Sequence, residues 1–285
     1  MLKPTQATPA HSGASVAFSL LREAASEPGS MAQASRSEVA LSPSRNAQGV
    51  EGPVAALVLA NVARSSLLWG WSRIVRGSRP LSHEPGLRWA RVMGSGYGGG
   101  FSLRPSVSHQ GVLALFDGLA SAQTFLQQSA QVAAYRARSQ ECCTALLQPW
   151  SVRGLWGGQG IDIQAAQPAP EPAPAGPVVA LTRASIRPLK AVQFWAMAPA
   201  AQASLLTAEG CRLAAGLGEA PLLRQCTVSV WDSVAAMEAY ARSGAHLAAI
   251  KAAAVHGFFS ESMFVRFRLL AIEGRWQGRQ HGHET

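Results

Sequence analysis

The sequence predicts an α+β fold: two tandem ferredoxin-like (βαββαβ) repeats forming a dimeric-type α+β barrel within one chain. Three observations predict it. First, the chain repeats itself. Residues 54–71 align without a gap on residues 178–195. Gly94-Ser-Gly96 answers to Gly216-Leu-Gly218, Phe116-Asp117 to Trp231-Asp232, and Gly154-Leu-Trp-Gly-Gly158 to Gly274-Arg-Trp-Gln-Gly278. Self-similarity of this kind marks a duplicated structural unit. Second, each copy reads strand, helix, strand, strand, helix, strand, the order of the ferredoxin-like unit. Third, the strands alternate apolar and polar positions. Helices cover one face of such an antiparallel sheet and leave the other free. Two units in one chain bury their free faces against each other, with the helices outside.

Taken in order, residues 1–50 are rich in Ala, Ser, Gln and Pro. Their apolar run Val16 to Leu21 is too short for a signal peptide, so a disordered extension is expected. The first repeat spans 52–158. Residues 164–177 (QAAQPAPEPAPAGP) are an Ala-Pro linker, extended and semi-rigid by composition. The second repeat spans 178–278. A polar tail, 279–285, is expected to be loose.

In the second repeat, residues 178–187 are β-rich and run into Pro188, which suits the first turn of a helix. A helix follows over 190–207, then a short strand over 212–215 before the glycine turn. Residues 222–231 form a strand in which Cys226, Val228 and Val230 share a face. Residues 233–256 read as one long alanine-rich helix with Asp232 or Ser233 as N-cap. The last strand covers 263–272, with Val265, Phe267 and Leu269 on one face and Arg266 and Arg268 on the other. In the first strand of this copy, Arg183 shares a face with Leu181 and Ser185. First and last strands are neighbours in this topology, so Arg183, Arg266 and Arg268 are expected to converge on a polar face. Their counterparts in the first copy are Leu59, Leu146 and Gln148.

Composition sets the functional bounds. Hydrophobic residues make up 48% of the chain and charged residues 14%, enough for a substantial core. No apolar stretch is long enough to cross a bilayer as a helix. The net charge of +9 favours an anionic membrane surface or acidic cofactor groups. The arginines are scattered, and no zinc-finger or RNA-binding pattern is present, so no nucleic-acid partner is expected. The four cysteines, with Cys142 and Cys143 adjacent, form no C-x-x-C and read as buried, reduced thiols of a cytosolic protein.

Candidate chemistry concentrates in the second repeat. Gln131 of the first copy falls opposite His246. Small neighbours (Ala245, Ala248, Ala249, Ala252 and Ala253) leave room beside that helix for a group as bulky as a porphyrin, and a neutral imidazole is an axial haem ligand. His256, near the helix end where a positive charge suits the dipole, is the alternative. The arginine trio suits carboxylates, such as haem propionates, or acidic residues of the other repeat. A cofactor between helix and sheet at His246 would lie on the side of the sheet away from these arginines. Gly94-Ser-Gly-Tyr-Gly-Gly99 matches a dinucleotide fingerprint, but no helix follows to receive a pyrophosphate, so it reads as a glycine-rich turn. His281-Gly-His283-Glu284 is a terminal tail. Trp69, Trp71, Trp156, Trp195 and Trp276 recur in both copies and are expected in the core. Spacing supports no Ser-His-Asp or Cys-His arrangement.

Several segments, in order, carry a family resemblance. They are Arg88-Trp-Ala-Arg-Val-Met-Gly-Ser-Gly-Tyr-Gly-Gly-Gly-Phe101, Tyr135-Arg-Ala-Arg138, Ser151-Val-Arg-Gly-Leu-Trp-Gly157, Ala180-Leu-Thr-Arg-Ala-Ser-Ile-Arg187 and the stretch from His246 to Phe267. Over residues 52–278 the chain resembles spheroidene monooxygenase, the acyclic carotenoid 2-ketolase of purple photosynthetic bacteria. The resemblance implies a haem b-dependent enzyme of carotenoid biosynthesis. It would oxidise C2 of acyclic carotenoids with O2 and electrons from reduced ferredoxin. It implies His246 as the haem-iron ligand, with Arg183, Arg266 and Arg268 as cofactor-binding candidates. A histidine ligand is unusual for an oxygenase, which gains electron push from thiolate. Other readings are another haem enzyme on the same barrel, or a non-catalytic haem- or carotenoid-binding protein. An apolar substrate implies a cytoplasmic protein peripheral to the photosynthetic membrane, with the basic surface facing anionic lipid.

Overall fold

The computed structural model describes residues 50–162, 174–220 and 222–282. Their elements run β1 (Val54–Val62), α1 (Leu67–Arg76), β2 (Leu87–Gly96), β3 (Pro105–Phe116), α2 (Leu119–Gln128), α3 (Ala130–Arg138) and β4 (Ser139–Gly154). They continue with β5 (Val178–Ile186), α4 (Ala191–Leu206), β6 (Cys211–Ala220), β7 (Arg224–Trp231), α5 (Val234–Ala241), α6 (Gly244–His256), β8 (Phe259–Trp276) and β9 (Arg279–His281). The extension expected over 1–50 and most of the linker expected over 164–177 lie outside the described residues, as do His283 and Glu284.

Eight strands close into an antiparallel barrel, which makes the fold α+β. The ring runs β4-β1-β3-β2-β6-β7-β5-β8 and returns to β4. Two seams join the halves. The β4–β8 seam is long, with Leu147 opposite Leu269 near its middle. The β2–β6 seam is short, pairing Gly94 with Gly218 and Ser95 with Leu217. Beside this seam close approach requires glycine at Gly216 and Gly111. A Cβ on Gly216 would sit 2.4 Å from the Gly100 carbonyl oxygen, and one on Gly111 would sit 2.7 Å from the Leu217 side chain.

Strand alternation decides what lies on each side. Leu57, Leu113, Leu181, Val228, Val265 and Phe267 point inward and fill the barrel as one core. Val54, Ala56, Val58, Val112 and Phe116 point outward and are covered by Phe125 and Leu126 of α2 and Val132 and Tyr135 of α3. The second half has a smaller outer cluster, in which Val178 and Trp231 meet Leu205 of α4 and Met237 of α5.

The repeated G-x-W-x-G motif acquires a structural reason. Gly154 ends β4 and Gly274 lies near the end of β8, at φ +85° and +102°, in the left-handed region that glycine tolerates. A Cβ on either would run into the partner strand, 2.0 Å from the Ser262 carbonyl oxygen or 2.1 Å from that of Cys142. Each bend then drops a tryptophan, Trp156 or Trp276, into the barrel core. The next two N–H groups donate to a carboxylate. Gly157 and Gly158 bond Glu261, and Gln277 and Gly278 bond Glu141. Because β4 and β8 are antiparallel, the two tryptophans enter from opposite ends.

Four expectations are corrected. The helix expected over 233–256 is two helices. Ser233 caps α5, its hydroxyl accepting from the Ala236 N–H. The chain then breaks at Ser243, which is extended, and Gly244, at φ +52°. The strand expected over 212–215 is the longer β6, extended by the seam with β2. The tail is not loose over 279–281, where β9 pairs with β8 through Arg275 and Gln280. Trp71 is not a core residue and stands on the exposed face of α1. No helix among the described residues is long and apolar enough to cross a membrane.

Phe267, fully buried where the two halves meet, measures the shared core. Phe267→Ala is expected to destabilise the protein by about 3–5 kcal/mol, read by chemical denaturation as a single transition for both halves. Two separated transitions would contradict a core common to both.

Candidate functional site

The two halves differ most in their outer helix layers. In the first half, α3 lies on the sheet with Val132 and Tyr135 buried. The Tyr135 hydroxyl donates to Gln110 at 3.2 Å, and Arg73 of α1 donates to Gln131 at 3.0 Å. The remaining cavity, bounded by Val58, Arg73, Gln131 and Tyr135, is about 10 Å³. That admits at most one water. In the second half, α6 packs chiefly on α4 and α5. Of its described side chains none is buried, although its composition is that of a core helix.

His246 lies on α6 in this looser layer. Its ring stacks on Tyr240, with centroids 4.7 Å apart and planes at 29°. Burial lowers its pKa, which keeps the imidazole neutral and its lone pair available. It makes no hydrogen bond with a described residue. His256, the alternative ligand, is exposed at the C-terminal end of α6, with its ring against Phe258 at 5.4 Å.

The structure separates the arginine trio. In the β5–β8 ladder Ala180 faces Arg266 and Val178 faces Arg268. Both arginines therefore share the outward side with Val178, under the helices. Arg266 donates to Glu238 of α5 at 3.1 Å and lies over the Trp150 ring. Arg268 is half-buried and makes no ion pair with a described residue. Arg183 points the other way, into the barrel, with 3% of its surface exposed. The expected convergence of all three fails, because alternation within a strand does not fix the parity of its neighbour. Arg266 and Arg268 instead share the layer that holds His246.

Arg183 belongs to a closed ionic network. It pairs with Glu261 and lies 3.6 Å from Glu219. Glu219 also takes Arg91 at 3.2 Å and the Trp156 indole N–H at 2.9 Å. Trp156 is flanked by the guanidinium groups of Arg91 and Arg183. Two backbone N–H groups and Arg183 hold the Glu261 carboxyl below its ordinary pKa. Two carboxylates therefore already engage the Arg183 charge, which leaves it poorly placed to bind a cofactor carboxylate.

No family model matches the chain. Curated relatives do. It is 53% identical over 231 residues to the spheroidene monooxygenase of Rubrivivax gelatinosus, covering 81% of this chain and 88% of the relative. It is 39% identical over 229 residues to that of Rhodobacter capsulatus, covering 80% and 94%. The chain belongs to the spheroidene monooxygenase family. Solved structures with a likeness include aldoxime dehydratase, at 11% identity, 80% and 84% coverage and TM-score 0.46. A putative monooxygenase from Fusobacterium nucleatum follows at 8% identity, 82% and 99% coverage and TM-score 0.36.

In this member of the spheroidene monooxygenase family, sequence reasoning missed five residues. Arg91, Glu219 and Glu261 complete the network around Arg183 and Trp156. Glu141 and Glu261 hold equivalent turns in the two halves, so aligning the last strands of the copies carries the signal for both. His109 was also missed. Its Nδ1 meets the Ser106 hydroxyl at 2.8 Å and its ring sits edge-on to Trp276. Burial lowers its pKa against the opposing pull of Glu141. The cysteines are free, and burial pushes the Cys142 thiol up to about 11 and that of Cys143 higher still, so neither is a thiolate near neutrality.

His246 has a pH consequence. Its folded-state pKa lies below the ordinary value, so the unfolded chain binds the proton more readily. The stability this confers is present above the ordinary histidine range and is lost as pH falls toward the folded pKa. NMR titration is expected to place the His246 imidazole below 6.5. His246→Gln, which installs the first-half residue, is expected to shrink the loss of Tm between about pH 7.5 and about pH 5. An imidazole titrating at or above the ordinary value would contradict the burial argument.

Proposed function

We propose that this chain is a haem-dependent monooxygenase that oxidises C2 of an acyclic carotenoid of the spheroidene type, using O2 and electrons from reduced ferredoxin. The substrate class follows from the relatives' name; haem b as cofactor, C2 as the position and ferredoxin as donor extend that kinship. One observation carries the cofactor assignment. A neutral, half-buried imidazole stands on a helix flanked by small side chains, in the layer that also holds Arg266 and Arg268. Among the described residues no cluster of three or more His, Cys, Asp or Glu side chains could hold a bare metal ion. A single imidazole suits iron that brings a macrocycle with it.

In this reading His246 would hold the haem iron. The residues fit: burial keeps the ring unprotonated, and Tyr240 stacked on it restrains its tilt. Arg268 and, on partial release from Glu238, Arg266 would take the two propionates. The small side chains of α6 would leave width beside the helix for a flat ligand. Bound haem would supply the activation of dioxygen. The first half, its layer filled by Arg73, Gln131 and Tyr135, serves as scaffold. We read the barrel as two ferredoxin-like repeats from one duplicated unit, of which only the second kept the chemistry.

Absorption spectroscopy of the protein expressed with ample haem tests this, with a pyridine haemochrome assay for stoichiometry. One b-type haem per chain is expected, and conversion of spheroidene to a 2-keto product with O2 and reduced ferredoxin. His246→Ala is expected to lose the Soret band while its far-UV circular dichroism is unchanged. A normal Soret band in that variant overturns the ligand assignment. Arg268→Leu is expected to weaken haemin affinity by roughly ten- to hundredfold, the size of one charge-assisted contact.

A further inference from the structure

Helix α1 turns an arginine inward and an apolar stripe outward. Its buried positions are Gly70 and Arg73, and Arg73 faces the sheet layer bonded to Gln131 and Ser72 and lying over the Trp69 ring. Its solvent face is apolar. Leu68 is 83% exposed, Trp71 45% and Val75 84%. The spacing i, i+3, i+7 puts the three on one stripe of the helix. A helix whose outward stripe is Leu, Trp and Val leaves that area in contact with water unless something covers it.

What surrounds the stripe selects the occupant. Arg64 just before the helix, Arg76 at its end and Arg79 just after it are all exposed, and none pairs with a described carboxylate. The nearest acidic residue in the chain, Glu84, is engaged by the Ser129 hydroxyl at 2.6 Å. The patch is therefore apolar at its centre and cationic at its rim. A second copy is a poor partner, because a twofold contact would set these arginines against their own counterparts. An anionic lipid surface satisfies both parts. Its headgroups meet the arginines while Leu68, Trp71 and Val75 enter the acyl boundary, the level at which tryptophan concentrates.

We propose that the outward face of α1 is an interfacial helix that docks this protein on an anionic lipid bilayer, with Leu68, Trp71 and Val75 inserted and Arg64, Arg76 and Arg79 on the headgroups. The docking names a surface for substrate access but does not depend on haem or on carotenoid oxidation.

Co-sedimentation of the full chain, without haem or substrate, tests it. Vesicles of phosphatidylcholine alone are compared with vesicles that also contain phosphatidylglycerol. Binding is expected only to the anionic vesicles and is expected to fall as salt is raised from about 0.1 M to about 1 M. Leu68→Glu/Val75→Glu is expected to abolish it with circular dichroism and Tm unchanged. Arg64→Gln/Arg76→Gln/Arg79→Gln is expected to weaken it by about a hundredfold, a factor of roughly five per arginine. No binding to anionic vesicles overturns the proposal, as does equal binding by wild type and both variants. A lipid-free dimer that becomes a monomer in Leu68→Glu/Val75→Glu assigns the face to a second copy and also overturns it. So does binding to soluble polyglutamate, but not to vesicles, that the same variants lose.

Discussion

Burial of one sheet face against the other is the constraint on which the structure depends. Each half has two apolar sides. Its own helices cover the outer one, and nothing within the half can cover the inner one. Leu57, Leu113 and Leu115 of the first half share one core with Val228, Val265 and Phe267 of the second. Burial of apolar area is the dominant favourable term in folding, so the halves form one cooperative barrel. The glycines of the β2–β6 seam, the bends at Gly154 and Gly274 and the two inserted tryptophans all serve that closure.

The interior is thereby spent on packing. It is filled by side chains, and the charge it contains at Arg183 is held by Glu219 and Glu261. The halves diverge in their outer layers, where the proposed chemistry lies. The first half closes its layer with a polar bridge from Arg73 to Gln131 and a tyrosine on Gln110. The second replaces Gln131 with His246 and leaves α6, which follows a break at Ser243 as α3 follows one at Ser129, resting on other helices. In the proposed reading, that one substitution supplies the haem ligand. The outward stripe of α1 follows from the same first-half bridge, since turning Arg73 inward turns Leu68, Trp71 and Val75 outward.

Much of this was legible in the sequence, for a physical reason. Strand alternation and internal repetition are local signals, so the element order and the faces of β7 and β8 could be read from Cys226, Val228, Val265 and Phe267. Register between strands is not local. The sequence placed Arg183 and Arg266 correctly within their own strands and wrongly with respect to each other, because the Ala180–Arg266 pairing is set by the whole barrel. The helix break at Ser243 and Gly244 was hidden by the alanines on either side. Trp71 was taken for core because aromatic residues usually are, and the buried Arg73 that displaces it has a partner far away in sequence. The family was legible too, because the segments that carry it are each contiguous in the chain.

Hydrogen–deuterium exchange of the purified protein with and without haemin tests the division of labour most directly. The account predicts protection on haemin binding over Gly244–His256 and the outer face of β8, with Ala130–Arg138 unchanged. Protection of Ala130–Arg138 instead, or of neither helix while haemin is bound, would contradict it.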